Sequence, residues 1–163
     1  MKKILSLAIF ATIACIASAQ VPATEKLIDC QIYLYCDDEG ELFVNGLPVI
    51  KATDYQRVFE SKVPLKRGDI ITATVKDKQG GPGGFWAILV LKNNAPLAAS
   101  KDFEYTTAPN PDWRTNPALT GFKKPRLSRL DNFALGNAKN PQRAWSQQAD
   151  RNFETLHFKF VVP

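Results

Sequence analysis

Asp37-Asp38-Glu39-Gly40-Glu41 places four carboxylates within five residues. Hard oxygen donors at that density are what a calcium ion recruits, six to eight at a time and with backbone carbonyls among them. Asp37 and Asp38 are the candidate metal ligands. A plainer reading stands beside this one, because Asp and Gly are the residues that turns select and no second acidic cluster lies close in the sequence to complete a shell. Asp38 also belongs to a second constellation, with Trp113, Arg114 and Trp145, whose ring faces and polar groups suit the stacking and hydroxyl contacts of sugar binding. Tyr55 and Tyr105 extend that set, whereas Trp86 sits in an apolar run and reads as core. A tryptophan in a long loop serves equally to pin the loop down.

Catalytic chemistry has little to draw on. His157 is the only histidine, which removes histidine-based triads and multi-histidine metal sites. Glycoside hydrolysis needs two carboxyl groups about 5–9 Å apart. Asp37 or Asp38 with Asp112 is conceivable, but nothing in the sequence joins them, so a non-catalytic protein is expected. The run Gly80-Gly81-Pro82-Gly83-Gly84 lacks the Lys-Ser or Lys-Thr ending of a phosphate loop and precedes a strand instead of a helix. Lys123-Lys124-Pro125-Arg126-Leu127-Ser128-Arg129 is a basic run that reads as a solvated loop, or as a contact for an anionic polymer or surface.

The chain opens Met-Lys-Lys, runs apolar from Ile4 to Ile16 and reaches Ala17-Ser18-Ala19, the pattern of a secretory signal peptide over residues 1–19. Acylation of Cys15 is the lipoprotein variant, although Thr12 stands where leucine is usual. Taking 19 from 163 leaves 144 residues, one domain over 20–163. Losing Lys2 and Lys3 lowers 21 basic residues to 19 against 16 acidic ones, a mild excess that does not call for nucleic acid. No later segment approaches the roughly 20 apolar residues of a membrane span, and an exported, extracellular or periplasmic location follows. Export favours oxidised cysteines, and Cys30 and Cys36 are the candidate pair. Six residues of uninterrupted strand would hold them about 20 Å apart, against about 7 Å for bridged Cα atoms. Either Cys30 lies in a bend before the strand, or each thiol is buried singly, or one pairs between chains.

The elements that must position these residues read as strands. Gln31–Cys36 alternates, Asp37–Gly40 turns, and Glu41–Val44 leads into Asn45-Gly46, a strong hairpin signal. Leu47–Ile50 returns, Arg57–Ser61 is short, and Ile70–Lys76 is half-buried by alternation. Phe85–Leu91 is apolar on both parities, as a central strand is, and another strand surrounds Phe103 and Tyr105. Thr155–Val162 alternates cleanly, with His157 on the outward side. Between them, residues 107–152 carry Pro109, Pro111, Pro117, Pro125 and Pro141 with scattered aromatic anchors, which reads as ordered long loops. About eight short strands make the expected fold all-β, an antiparallel β-sandwich.

"DDEGELFVNGLPV" and "VPLKRGDIITATVKDKQGGPGGFWAIL" resemble the pattern of galactose-binding-like jelly-roll modules, including those accessory to glycoside hydrolases. "PDWRT" and "AWSQQADRNFETLHFKF" are similar to the tryptophan-bearing segments and aromatic strand of those modules. A more distant similarity is to PA14-type modules, which place an Asp-Asp pair before a strand; here that pair is Asp37-Asp38. The resemblance implies a jelly roll that binds glycans through loops at one end, in some cases with a structural calcium ion. The full calcium or sugar ligand set of either family is not found in this sequence. The expectation is a secreted binding module for carbohydrate or another extracellular surface ligand. The alternative is a matrix protein that self-associates through exposed aromatic and basic loops. The oligomeric state is not fixed by the sequence.

Overall fold

The structure, a computed structural model, describes residues 26–78, 86–118, 120–145 and 155–163. The N-terminal apolar segment, the glycine run 80–84 and Leu119 lie outside the described residues. Thirteen strands are arranged in order along the described chain. They are β1 (Ile28–Cys36), β2 (Glu39–Val44), β3 (Leu47–Ala52), β4 (Phe59–Leu65), β5 (Ile70–Lys76), β6 (Trp86–Lys92), β7 (Ala95–Ala99), β8 (Glu104–Thr106), β9 (Arg126–Arg129), β10 (Ala134–Leu135), β11 (Ala138–Lys139), β12 (Gln142–Trp145) and β13 (Thr155–Val161). A 3-10 turn, Ser100–Asp102, separates β7 from β8.

Two antiparallel sheets pack face to face as a β-sandwich. Sheet A runs β4-β1-β6-β12-β9, with β7 also paired to β6; sheet B runs β3-β2-β5-β13-β8. Ile32, Leu34, Ile88 and Val90 of sheet A meet Leu42, Ile71, Ala73, Leu156 and Phe158 of sheet B in the main core. Trp86 is completely buried there, edge-on to Phe103 at 5.2 Å and tilted against Phe158 at 4.3 Å. Burying such side chains contributes on the order of 2 kcal/mol each.

Turn chemistry closes the sandwich at defined points. Asn45 and Gly46 both have positive φ, 50° and 80°, as a two-residue hairpin turn requires. The Asn45 side chain does more than permit that backbone. Its Nδ2 donates to Asp69 Oδ1 at 2.9 Å and its Oδ1 accepts from the Ile70 amide at 2.9 Å, tying the β2–β3 turn to the turn before β5.

Residues 107–145 depart from a reading as loops alone, since β9 to β12 lie within them. β12 and β9 extend sheet A, while β10 and β11 form a small hairpin laid on its outer face. There Leu135 joins Ala87, Leu89 and Leu91 in a second core with Tyr33, Tyr35 and Phe133 around it. This explains why β6 is buried on both faces. The earlier segment, 107–118 with 120–122, straps the outer face of sheet B. One stretch of chain therefore covers both faces of the sandwich.

Cys30 and Cys36 are free and buried, and both lie in the continuous strand β1. Of the three arrangements open to them, single burial is the one found, because extended backbone keeps the two sulfurs apart. Burial, then the charges of Asp37, Asp38 and Glu39, push the Cys36 thiol up to about 12. Gly40 is part of that packing, for a Cβ there would lie 2.8 Å from Cys36 Sγ.

Candidate functional site

The register of sheet B sets its outward side chains in three rows across the strands. The first is Glu39, Lys76 and Thr155; the second is Lys51, Glu41, Thr74, His157 and Thr106; the third is Phe43, Thr72, Lys159 and Glu104. Alternation puts these residues, all polar except Phe43, outside, as sequence reading expects for one face of a strand. Which residues stand side by side is decided by pairing between strands far apart in the chain.

The strap covers the third row and part of the second. Trp113 is 7% exposed and meets His157 edge-on at 5.1 Å, with Phe122 at 6.4 Å. The Arg114 guanidinium lies 3.8 Å from the centre of the Phe43 ring and 5.3 Å from that of Trp113, and its Nη2 donates to Thr74 Oγ1 at 3.4 Å. A planar cation between two rings is held by both faces. Lys159 is 1% exposed; its ammonium donates to the carbonyls of Asn116 and Ala118, the latter at 2.7 Å, and lies 5.3 Å from the Phe122 ring. Burial pulls its pKa below the ordinary lysine value, with Asp112 opposing that shift. Asp112 itself is spent on the strap, where its carboxylate accepts from Asn116 Nδ2 at 2.8 Å.

The first row and the Lys51–Glu41–Thr74 part of the second remain open beside this strap. They line a groove of about 250 Å³ with Glu41, Lys51, Thr53, Thr74, Lys76 and Thr155. Glu41 and Lys51 form a loose, exposed pair at 3.8 Å, and such a pair adds little to stability. Thr74 is common to the groove and to the Arg114 cluster, and it also lies 3.3 Å from His157 Nδ1. Burial, then the charge of Arg114, lowers the His157 pKa to about 4, so its ring is neutral at physiological pH.

Of the ligand-binding candidates, Trp113 and Arg114 come together here; Trp145 and Asp38 do not. Trp145 is 3% exposed within the main core, and Trp113 is sealed between strap and sheet. Both rings therefore pin backbone, and the expected stacking faces are corrected: a buried ring has no face to offer a sugar. Tyr105 is buried as well, which leaves Tyr55 as the exposed member of the aromatic set. Asp38 turns the chain from β1 to β2 with φ 64°, and its Oδ2 accepts from the Lys78 amide. The Lys78 ammonium in turn meets Glu39.

The acidic turn does not fit a calcium ion. Asp38 and Glu39 are engaged with Lys78, Glu41 pairs with Lys51, and no group of three or more His, Cys, Asp or Glu among the described residues converges as metal ligands do. Calcium needs six to eight oxygens. Burial, followed by the charges of Asp38 and Asp77, raises the Asp37 pKa, and Arg143 partly offsets this. The two aspartates are thus a turn that Lys78, 40 residues further along the chain, holds in place through Asp38.

Sequence reasoning passed over the groove residues Glu41, Lys51, Thr74, Lys76 and Thr155 as a group. Glu41, Thr74, Lys76 and Thr155 fell within strands read from the sequence, whereas Lys51 lay just past the expected end of its strand at Ile50; only the register unites them. No helix among the described residues is long and apolar enough to cross a membrane. Fold and groove together define an all-β sandwich with a strapped, polar outer face. No known family, curated protein or solved structure matches the chain.

Proposed function

We propose that the protein is a secreted, non-catalytic binding module of jelly-roll type that takes carbohydrate, or another hydroxyl-rich extracellular surface ligand, on the open rows of sheet B. The observation that carries this reading is the groove itself. Carboxylate, ammonium and hydroxyl groups alternate across it on four paired strands, β3, β2, β5 and β13, so acceptors and donors sit at fixed spacing. Polyols are recognised by that kind of array, because adjacent hydroxyls each donate and accept. Rigidity is supplied by the Arg114 and Lys159 anchors of the adjoining strap, and a preformed face spares the ligand an ordering cost.

A glycan array probed with and without chelator tests the proposal. Saturable binding of at least one glycan, unaffected by chelator, is expected. Lys76→Ala and Glu41→Gln, both on exposed side chains, should each weaken binding about tenfold while leaving the thermal midpoint unchanged. Absence of saturable binding by the folded protein would reject carbohydrate as the ligand.

A further inference from the structure

We propose that the outer face of sheet A carries a second, separate pocket for a small zwitterion of the α-amino acid type. The pocket, about 420 Å³, lies where β1, β4 and the β6–β7 turn meet, a volume within the range of small-molecule sites. Its floor is apolar, with Leu91 and Pro64. Its charged walls are Asp29 and Lys62.

The register places those two charges on one face without joining them. Asp29 stands opposite Pro64, and Gln31 stands opposite Lys62, so Asp29 and Lys62 are diagonal neighbours. Diagonal side chains in an antiparallel pair start about 7–8 Å apart. No ion pair within 4.0 Å forms between them, and neither side chain has a hydrogen-bond partner among the described residues. Gln31, two residues from Asp29 on β1 and directly opposite Lys62, is occupied by its 3.2 Å bond to Glu60. A carboxylate and an ammonium facing one cavity at that spacing match a ligand that carries the opposite charges side by side. The ligand's ammonium goes to Asp29, its carboxylate to Lys62, and an aliphatic side chain to the Leu91 floor. Charge-assisted bonds of this kind are about 2.7–2.9 Å long, and two of them with one amino acid head group between span the diagonal.

The third wall is built for polar contact. Asn93 and Asn94 have φ of 50° and 63°, the left-handed pair of a tight hairpin turn that asparagine tolerates. Asn137 Nδ2 donates to the Asn94 carbonyl at 2.9 Å, so the β10–β11 hairpin braces this turn from outside. Their side-chain amides supply donors and acceptors at the pocket rim.

Titration of the full chain with leucine, followed by amide chemical shifts, tests the pocket. N-acetylleucine lacks the ammonium, leucinamide lacks the carboxylate, and glucose is a neutral polyol. Leucine is expected to saturate shifts of Asn93 and Asn94, with each derivative about tenfold weaker or more and glucose inert there. Asp29→Asn should abolish the preference for leucine over N-acetylleucine, and Lys62→Gln the preference over leucinamide. Lys76→Ala, on the other sheet, should change neither. The proposal is overturned if leucine produces no saturable shift, if glucose competes equally at these residues, or if both preferences survive both substitutions in folded protein.

Discussion

His157 combines a neutral ring, a tryptophan edge and a neighbouring guanidinium, and that combination makes stability depend on pH. Its folded pKa, about 4, lies below the unfolded value of about 6.5. Between those values the unfolded chain binds the extra proton, so stability is full above about pH 6.5 and falls as pH drops toward 4. With allowance for the ring's partial exposure the loss is on the order of 1 kcal/mol. Urea midpoints measured from pH 7 to pH 4 should show this decline, and His157→Gln should remove that component. An identical pH profile in the variant would place the titration elsewhere. Asn45 illustrates what residue types alone conceal. Its backbone role was legible in the Asn-Gly pair, but its side-chain clasp on Asp69 and Ile70 depends on a turn 24 residues away.

At the scale of elements, strands with strong patterns were legible and strands without them were not. β6 is apolar on both parities and is buried on both faces; β13 alternates, and its Leu156 and Phe158 enter the core. β9 has four exposed residues, and β10 and β11 have two residues each. Such strands carry no hydrophobic signature, because backbone pairing and one or two anchors define them. The groove was hidden for a related reason, since its members share a face only after the register is known. The β10–β11 hairpin also rests on a close approach. Gly136 has φ 57°, and a Cβ there would come within 2.7 Å of the Tyr33 ring. Gly136→Ala should therefore destabilise by about 2 kcal/mol, from the left-handed backbone and the overfilled contact together. In a Tyr33→Ala background the cost should shrink toward the backbone part alone. Equal costs in both backgrounds would show that the ring contact is not what constrains this turn.

For the whole molecule, the decisive arrangement is the place of β13. It pairs with β5 on one side and β8 on the other, and Val162 beyond it exchanges backbone bonds with Gly68 and Asp69. Sheet B is thus completed by a strand about 80 residues distant from its partner β5. Topologies of this kind fold in milliseconds to seconds, slowly for their size. A chain ending at residue 150 should remain as sensitive to protease as an unfolded protein, while the 163-residue chain resists. Resistance of the shorter chain would mean that sheet A and the straps form a stable unit by themselves.

The interior position of β13 also orders events during synthesis. While the ribosome is still making residues 107–154, β5 has no partner on its β13 side, and Phe158 is not yet there to fill the space beside Trp86. The nascent chain consequently stays open until β13 emerges, and any factor that holds or conveys unfolded polypeptide has the whole of that interval in which to act.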